Sequence, residues 1–245
     1  MIAALGRALA PFGFDLVGVT TPAAYDALVP PSHRLGSTRL ARSIVVIGNG
    51  GGAFWSAYRR HCAAEPAYAA RAHPLDAFTT TVMETHALPA IAHLGAAPVV
   101  RFPFDVAAPA LSFVHLAEAA GLGCRSLLGV LVHPEYGPWM ALRAALLVDA
   151  DLEATRPAAG FDPCPTCVDR PCITACPADA ITPAEGWNVP RCVDFRTTAE
   201  TNPCETRCHA RVACVYGRHH RYPDDALAYH QGRAFAVMRK RQKAF

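Results

Sequence analysis

Ile2, Leu5, Leu9 and Phe12 recur at helical spacing and Gly13 closes the run, so the chain opens with an amphipathic helix. Asp15-Leu-Val-Gly-Val19 then reads as extended. Thr21-Pro22 caps a short helix reaching Leu28, which Pro30-Pro31 breaks, since proline has no amide hydrogen and fits only the first turn of a helix. Ser43-Ile-Val-Val-Ile47 is continuously apolar after its serine, as a strand buried on both faces is, and it ends in Gly48-Asn-Gly-Gly-Gly52. Ala53–Cys62 and Leu75–Leu94 carry helical periodicity, Val99–Phe102 is extended, and Ala110–Ala120 is helical up to a stop at Gly121. Leu127–Val132 and Ala144–Val148 read as two more strands. About five strands thus alternate with helices over residues 1–150, which predicts an α+β or α/β domain. After Asp151 the periodicity dissolves into Pro and Cys, with Ala154–Gly160 as linker, so the expected domains are residues 1–153 and 154–245.

Composition narrows this little: 245 residues, 52% of them hydrophobic, are those of a globular protein with at least one sizeable core, and exclude disorder, collagen and coiled coil. A net charge of +3 is close to neutral, and the basic residues, arginine except for Lys240 and Lys243, are scattered, so the basic footprint of a dedicated nucleic-acid binder is absent. The dense patch Arg239-Lys240-Arg241-Gln242-Lys243 reads as a solvated tail. No apolar run reaches the roughly 18–20 residues of a membrane span, and Ile2–Ala10 lacks the form of a signal peptide, so no membrane association and a cytoplasmic location are expected.

The cysteines change the picture. Eight of the ten lie between Cys164 and Cys214, and without an export signal such clustered thiols read as metal ligands rather than disulfides. Cys164-Pro-Thr-Cys167-Val-Asp-Arg-Pro-Cys172-Ile-Thr-Ala-Cys176-Pro177 is C-x2-C-x4-C-x3-C-P, the bacterial ferredoxin run with two residues added to its middle spacing. In that run three thiolates converge on one four-iron cluster, while the fourth, read here as opening a helix, turns to the other cluster. Cys192, Cys204, Cys208 and Cys214 form a looser second group. The crossing rule then gives one cluster on Cys164, Cys167, Cys172 and Cys214 and another on Cys176, Cys192, Cys204 and Cys208, which predicts a small bacterial-ferredoxin-like domain with two clusters. Structural zinc is the rival, but its habit is paired short knuckles and not a C-x3-C-P ending. Cys62 and Cys124 read as ordinary buried thiols.

Gly48-x-Gly50-x-x-Ala53 matches a loosened dinucleotide fingerprint, yet Glu65, at the distance where a ribose-binding acid would stand, lies in a segment that is not strand-like. A plain turn or another ligand loop fits it better. Among the histidines, His209 follows Cys208 and is placed either to hydrogen-bond a cluster sulfur or on the surface, while His133-Pro-Glu-Tyr-Gly-Pro-Trp139 reads equally as pocket lining and as a turn packed on Trp139. His73 and His115 have no metal-site spacing.

Several stretches together resemble the epoxyqueuosine reductase family. Gly13-Phe-Asp-Leu-Val-Gly18 is similar to its opening, Ala41-Arg-Ser-Ile-Val-Val46 to its second strand, and Ala119-Ala-Gly-Leu-Gly123 with Leu131-Val-His-Pro-Glu-Tyr-Gly137 to its central block, while Arg191-Cys192 resembles an arginine–cysteine pair that supplies a second-cluster ligand. The resemblance implies a corrinoid-binding domain joined to a two-cluster module. It implies cobalamin as a further cofactor, Asp105 as the proton-donating aspartate in a mostly apolar pocket beside Phe102-Pro-Phe104, and a bound cofactor near Gly121 and Gly123, with Gly48 and Gly50 as further candidates. Asp105 also reads simply as the cap of a turn before Ala110. The chain departs from the family in Cys124-Arg-Ser-Leu, which replaces a glycine-lysine-asparagine stretch, in Val215 after Cys214, and in lacking the C-terminal helical repeats that help bind tRNA. Two functions follow. One is a reductase drawing electrons from a flavodoxin- or ferredoxin-type donor for a small-molecule or modified-nucleoside substrate, with tRNA not expected, and the other is a ferredoxin-like electron carrier with no chemistry of its own.

Overall fold

The structure, a computed structural model, describes residues 2–36, 41–94, 98–199 and 201–242, so Lys243 of the basic tail lies outside the described residues. Its contacts divide it into two units, Met1–Gly123 with Met140–Ala159 and Cys124–Trp139 with Gly160–Phe245. The segment Cys124–Trp139, read from sequence as part of the first domain, therefore clusters with the cysteine-rich half.

The first unit is built on a sheet of β1 (Leu16–Thr20), β2 (Ser43–Gly50), β3 (Val99–Arg101) and β4 (Met140–Val148), in the order β1-β2-β4-β3. Every pairing is antiparallel, so the unit is α+β and not a parallel α/β fold. β2 lies between two neighbours, and Ile44, Val45, Val46 and Ile47 are wholly buried, each contributing on the order of 1.5–3 kcal/mol by leaving water. Helix α1 (Ile2–Leu9) buries Leu5 and Leu9, one turn apart, and α2 (Pro22–Asp26) starts at Thr21, whose hydroxyl accepts the Ala24 amide. The chain continues through α3 (Ala53–Ala64), α4 (Pro74–Val82) and α5 (Phe113–Ala119). The helix expected over Leu75–Leu94 is present, with a π-turn over Met83–Ala87 and a last α-turn, Leu88–Ile91, carrying Pro89.

Close chain approach calls for glycine at Gly13 and at Gly48, among other positions of this unit. Gly13 sits at φ +74, and a Cβ there would lie 2.2 Å from the Phe54 amide nitrogen, so the chain turns out of α1 directly against α3. Gly48 stands at a β-bulge, where a Cβ would meet the Ala141 carbonyl oxygen at 2.7 Å. Beside it lies a buried charge. Arg143 of β4 donates Nε–H to Asn49 Oδ1 at 2.7 Å and stacks 4.2 Å above the Phe54 ring.

The second unit has little regular sheet. The strand expected over Leu127–Val132 is instead a ladder of Cys124–Arg125 with Leu131–Val132, joined by a turn in which Ser126 Oγ donates to the Val130 carbonyl. A second ladder pairs Ile181–Thr182 with Gly186–Trp187. Helical turns at Pro163–Thr166 and Pro171–Thr174 precede α6 (Val189–Thr198), α7 (His209–Ala213) and α8 (Asp224–Gln242). Asn188 caps α6 by accepting the Arg191 amide at 2.9 Å, and Pro190 fits its first turn.

Candidate metal centres

Each proline-led turn of the first cysteine run aims its thiols locally. Cys164 lies in the turn Pro163–Thr166 and Cys167 follows it, the Cys167 amide donating to the Cys164 carbonyl at 3.3 Å, and Arg170 in left-handed conformation swings the chain into Pro171–Thr174, which carries Cys172. Cys176 closes this second turn rather than opening a helix, its amide donating to the Ile173 carbonyl at 3.2 Å. Leaving the turn here separates it from Cys172. Cys164, Cys167, Cys172 and Cys214 line one cavity of about 20 Å³, together with Leu127, Leu128 and Tyr216. Burial is the main force pushing the Cys172 and Cys214 thiols above the ordinary cysteine range, and proximity to Cys164 and Cys167 adds to both.

Cys176, Cys192, Cys204 and Cys208 line a second, wider cavity of about 200 Å³, walled by Ile181, Trp187, Phe195 and Met238. Cys192 projects from α6, Cys208 caps the N-terminus of α7, and Cys204 is buried in the loop between those helices. Cys214 caps the other end of α7 and faces the first set, so this one short helix divides its two flanking thiols between the cavities. Leu128 touches both. Burial again raises the Cys192 and Cys204 thiols, with the neighbouring thiols of the same set adding to it, while the Trp187 indole and the Arg196 charge act the other way on Cys192. The two sets are those of the crossed reading. Among the described residues, no three His, Cys, Asp or Glu side chains converge closely enough to hold a single metal ion.

No protein-family model matches the chain. Epoxyqueuosine reductases from Listeria monocytogenes, 29% identical over 137 residues, and from Synechococcus, 40% identical over 81 residues, align with 50% and 33% of this chain. The chain is epoxyqueuosine reductase-like. It covers only 34% and 24% of those two relatives' lengths. An epoxyqueuosine reductase structure from Streptococcus thermophilus superposes with a TM-score of 0.59 at 15% identity, over 91% of this chain and 68% of that one. CblC from C. elegans, described as a B12-trafficking protein, gives 0.62 at 13% identity over 97% and 94%, and the catabolic reductive dehalogenase NpRdhA gives 0.55 at 20% over 99% and 35%. The fold expectation thus holds at the level of a mixed helix-and-sheet chain shared with these proteins.

Other candidate residues of the epoxyqueuosine reductase-like chain sit in plain structural settings. Asp105 closes a turn, accepting the Phe102 amide at 2.7 Å and lying 3.6 Å from the Arg101 guanidinium, while Phe102 and Phe104 stack at 4.9 Å with Phe104 44% exposed. Gly48 and Gly50 lie inside β2 and not in a loop, and the Gly50 amide donates to Asp15 Oδ1. Gly121 takes φ +69 after α5 with the Pro157 nitrogen 2.9 Å from where its Cβ would be, and Gly123 takes φ +153. Close chain approach accounts for Gly48 and Gly121, and backbone conformation for Gly121 and Gly123.

His209 lines the wider cavity, with Nε2 2.9 Å from the Pro203 carbonyl oxygen. His133 belongs to a turn, Nδ1 accepting the Glu135 and Tyr136 amides. Cys62 and Cys124 are half-buried and not core thiols. Sequence reasoning missed Arg196 and Trp187. Arg196 stands one helical turn after Cys192, a spacing that puts both on one face of α6, and Trp187 packs on Gly129, where a Cβ would meet its ring at 2.4 Å.

Proposed function

We propose that the chain is an iron–sulfur oxidoreductase. Its second unit holds two four-iron clusters, one on Cys164, Cys167, Cys172 and Cys214 and one on Cys176, Cys192, Cys204 and Cys208, and its first unit serves the electron acceptor. The observation that carries this reading is that eight thiols line two cavities, four to each. A single tetrahedral zinc would need its thiolates about 3.8 Å apart around one point, whereas a cubane spreads them around a volume. The donor chemistry fits as well, because soft thiolates are what iron–sulfur clusters take. When bound, the clusters supply one-electron transfer. The chain's own residues hold them, set their spacing through Leu128 and keep water out with Ile181, Trp187, Phe195 and Met238.

Cobalamin as the further cofactor is supported by likeness of fold to a B12-trafficking protein and by the family resemblance of residues 119–137. The first unit's own groove, about 840 Å³ and open, is lined by Thr21, Asp26, Arg34 and Arg42 and does not include Asp105. Asp105 is tied instead to Arg101 and the Phe102 amide, and the second reading is an electron carrier without chemistry of its own. Among the described residues no helix is long and apolar enough to cross a membrane.

Anaerobic reconstitution tests the cluster reading. About eight iron and eight acid-labile sulfide per chain are expected, with Cys176→Ala and Cys172→Ala losing different clusters. Bound zinc without sulfide, or loss of one and the same cluster in both variants, overturns it. Titration with cobalamin separates the two functions: a shift in the corrinoid spectrum on binding, with binding retained in Asp105→Asn, supports the reductase, and no binding leaves the carrier.

A further inference from the structure

Among the described residues Arg196 is the most deeply buried cation of the second unit, 5% exposed, and it lines the wider thiol cavity. Three of its contacts fix the guanidinium in place. Nη1 donates to Met238 Sδ at 3.3 Å, and Nη2 donates to the carbonyls of Cys204 at 3.4 Å and Gln231 at 3.3 Å. The Phe235 ring centre lies 5.7 Å from its charge. Every one of these partners is neutral, while Nε is buried with no hydrogen-bond partner at all. An isolated charge buried this way costs several kcal/mol unless an opposite charge answers it, and an unmade hydrogen bond adds to that cost.

A thiolate-ligated iron–sulfur cluster is an anion rich in sulfur acceptors, and it would occupy the cavity that Arg196 lines. Resting on the two-cluster reading, we propose that Arg196 is a positioning residue for the cluster of Cys176, Cys192, Cys204 and Cys208. Its buried charge counters that cluster's charge, and its Nε–H is donated to one of the cluster's sulfurs. Reduction adds negative charge, so a cation held in low dielectric favours the reduced state and raises the potential of this cluster. The first cavity is lined by Arg170, which is only half-buried and so is screened by water. The two clusters are therefore unequal.

The reconstituted full chain tests this by redox titration, with each cluster followed by its paramagnetic resonance signal. In Arg196→Gln both clusters are retained, and the ratio of reduced to oxidised second cluster at a fixed poise falls about tenfold, the equivalent of 59 mV for one electron. Arg196→Lys, which keeps the charge without the Nε–H, recovers part of that ratio. The first cluster's titration does not move. Full iron with an unchanged second-cluster titration in Arg196→Gln overturns the proposal and leaves Arg196 a tie between α6 and α8. A second measurement needs no variant: in wild-type protein carrying ¹⁵N in its arginine guanidinium groups, pulsed resonance of the reduced second cluster shows a nitrogen coupling, and its absence overturns the proposal. A wild-type chain that takes up no iron and sulfide overturns the two-cluster reading itself, a result distinct from either.

Discussion

The two units are held together by different physics. The first wraps helices over an antiparallel sheet whose central strand is buried on both faces, and a continuous set of aliphatic side chains, Leu5 and Leu9 of α1, Ile44–Ile47 of β2 and Leu146–Val148 of β4, carries its stability. The second offers the helices α6, α7 and α8, two two-residue ladders, short helical turns and two cavities lined by thiols. On the two-cluster proposal, a unit with the smaller apolar core would depend on what its thiols hold, as small metal domains do. The lesson is that cofactor and fold are one subject in the second unit and two in the first.

Removing iron should therefore separate the units more than any mutation. We expect anaerobic chelation to raise amide exchange around α6 and α7 roughly 1,000-fold, the equivalent of about 4 kcal/mol, while β2 amides change little. Hydrogen exchange read by mass spectrometry measures both at once. Equal loss in both units, or none in either, breaks the comparison.

Ile44→Ala tests the opposite side. Ile44 is wholly buried and paired across to Thr20 and Leu147, so its truncation should cost about 2–5 kcal/mol of first-unit stability while iron uptake stays complete. Urea unfolding followed by first-unit peptides reads the loss, and iron analysis reads the rest. Loss of iron in this variant would mean that the second unit cannot hold its clusters without an intact first sheet.

The same contrast decides what could be read from sequence. β2 was readable because burial on both faces writes a continuous apolar run, and α1 because Leu5 and Leu9 repeat one turn apart. β4 was seen only over Ala144–Val148, since Arg143, buried against Asn49 and Phe54, breaks the apolar pattern of a strand that begins at Met140. Leu127–Val132 was read as one strand because Leu127 and Leu128 look like core, whereas they line the thiol cavities. The grouping of eight thiols came from spacing alone, through the ferredoxin run. Arg196 was hidden, because a helical arginine four residues after a cysteine has no motif, and only burial reveals it.

The smallest effect concerns protons on the thiols. In iron-free protein, burial and mutual proximity raise Cys172, Cys192, Cys204 and Cys214 above the ordinary cysteine range. The folded state thus binds these protons more tightly than the unfolded state, so their contribution to stability is complete below the unfolded value, roughly 8.5 for cysteine, and is lost as pH rises through the folded ones. Iron-free protein should lose second-unit stability between neutral pH and the alkaline range. With clusters bound, the thiolates are ligands and carry no proton to lose, so the slope should disappear. Urea unfolding under reducing, anaerobic conditions at a series of pH values measures both slopes. A flat or rising profile in the iron-free protein would mean that its thiols are not gathered and buried as the cavities have them.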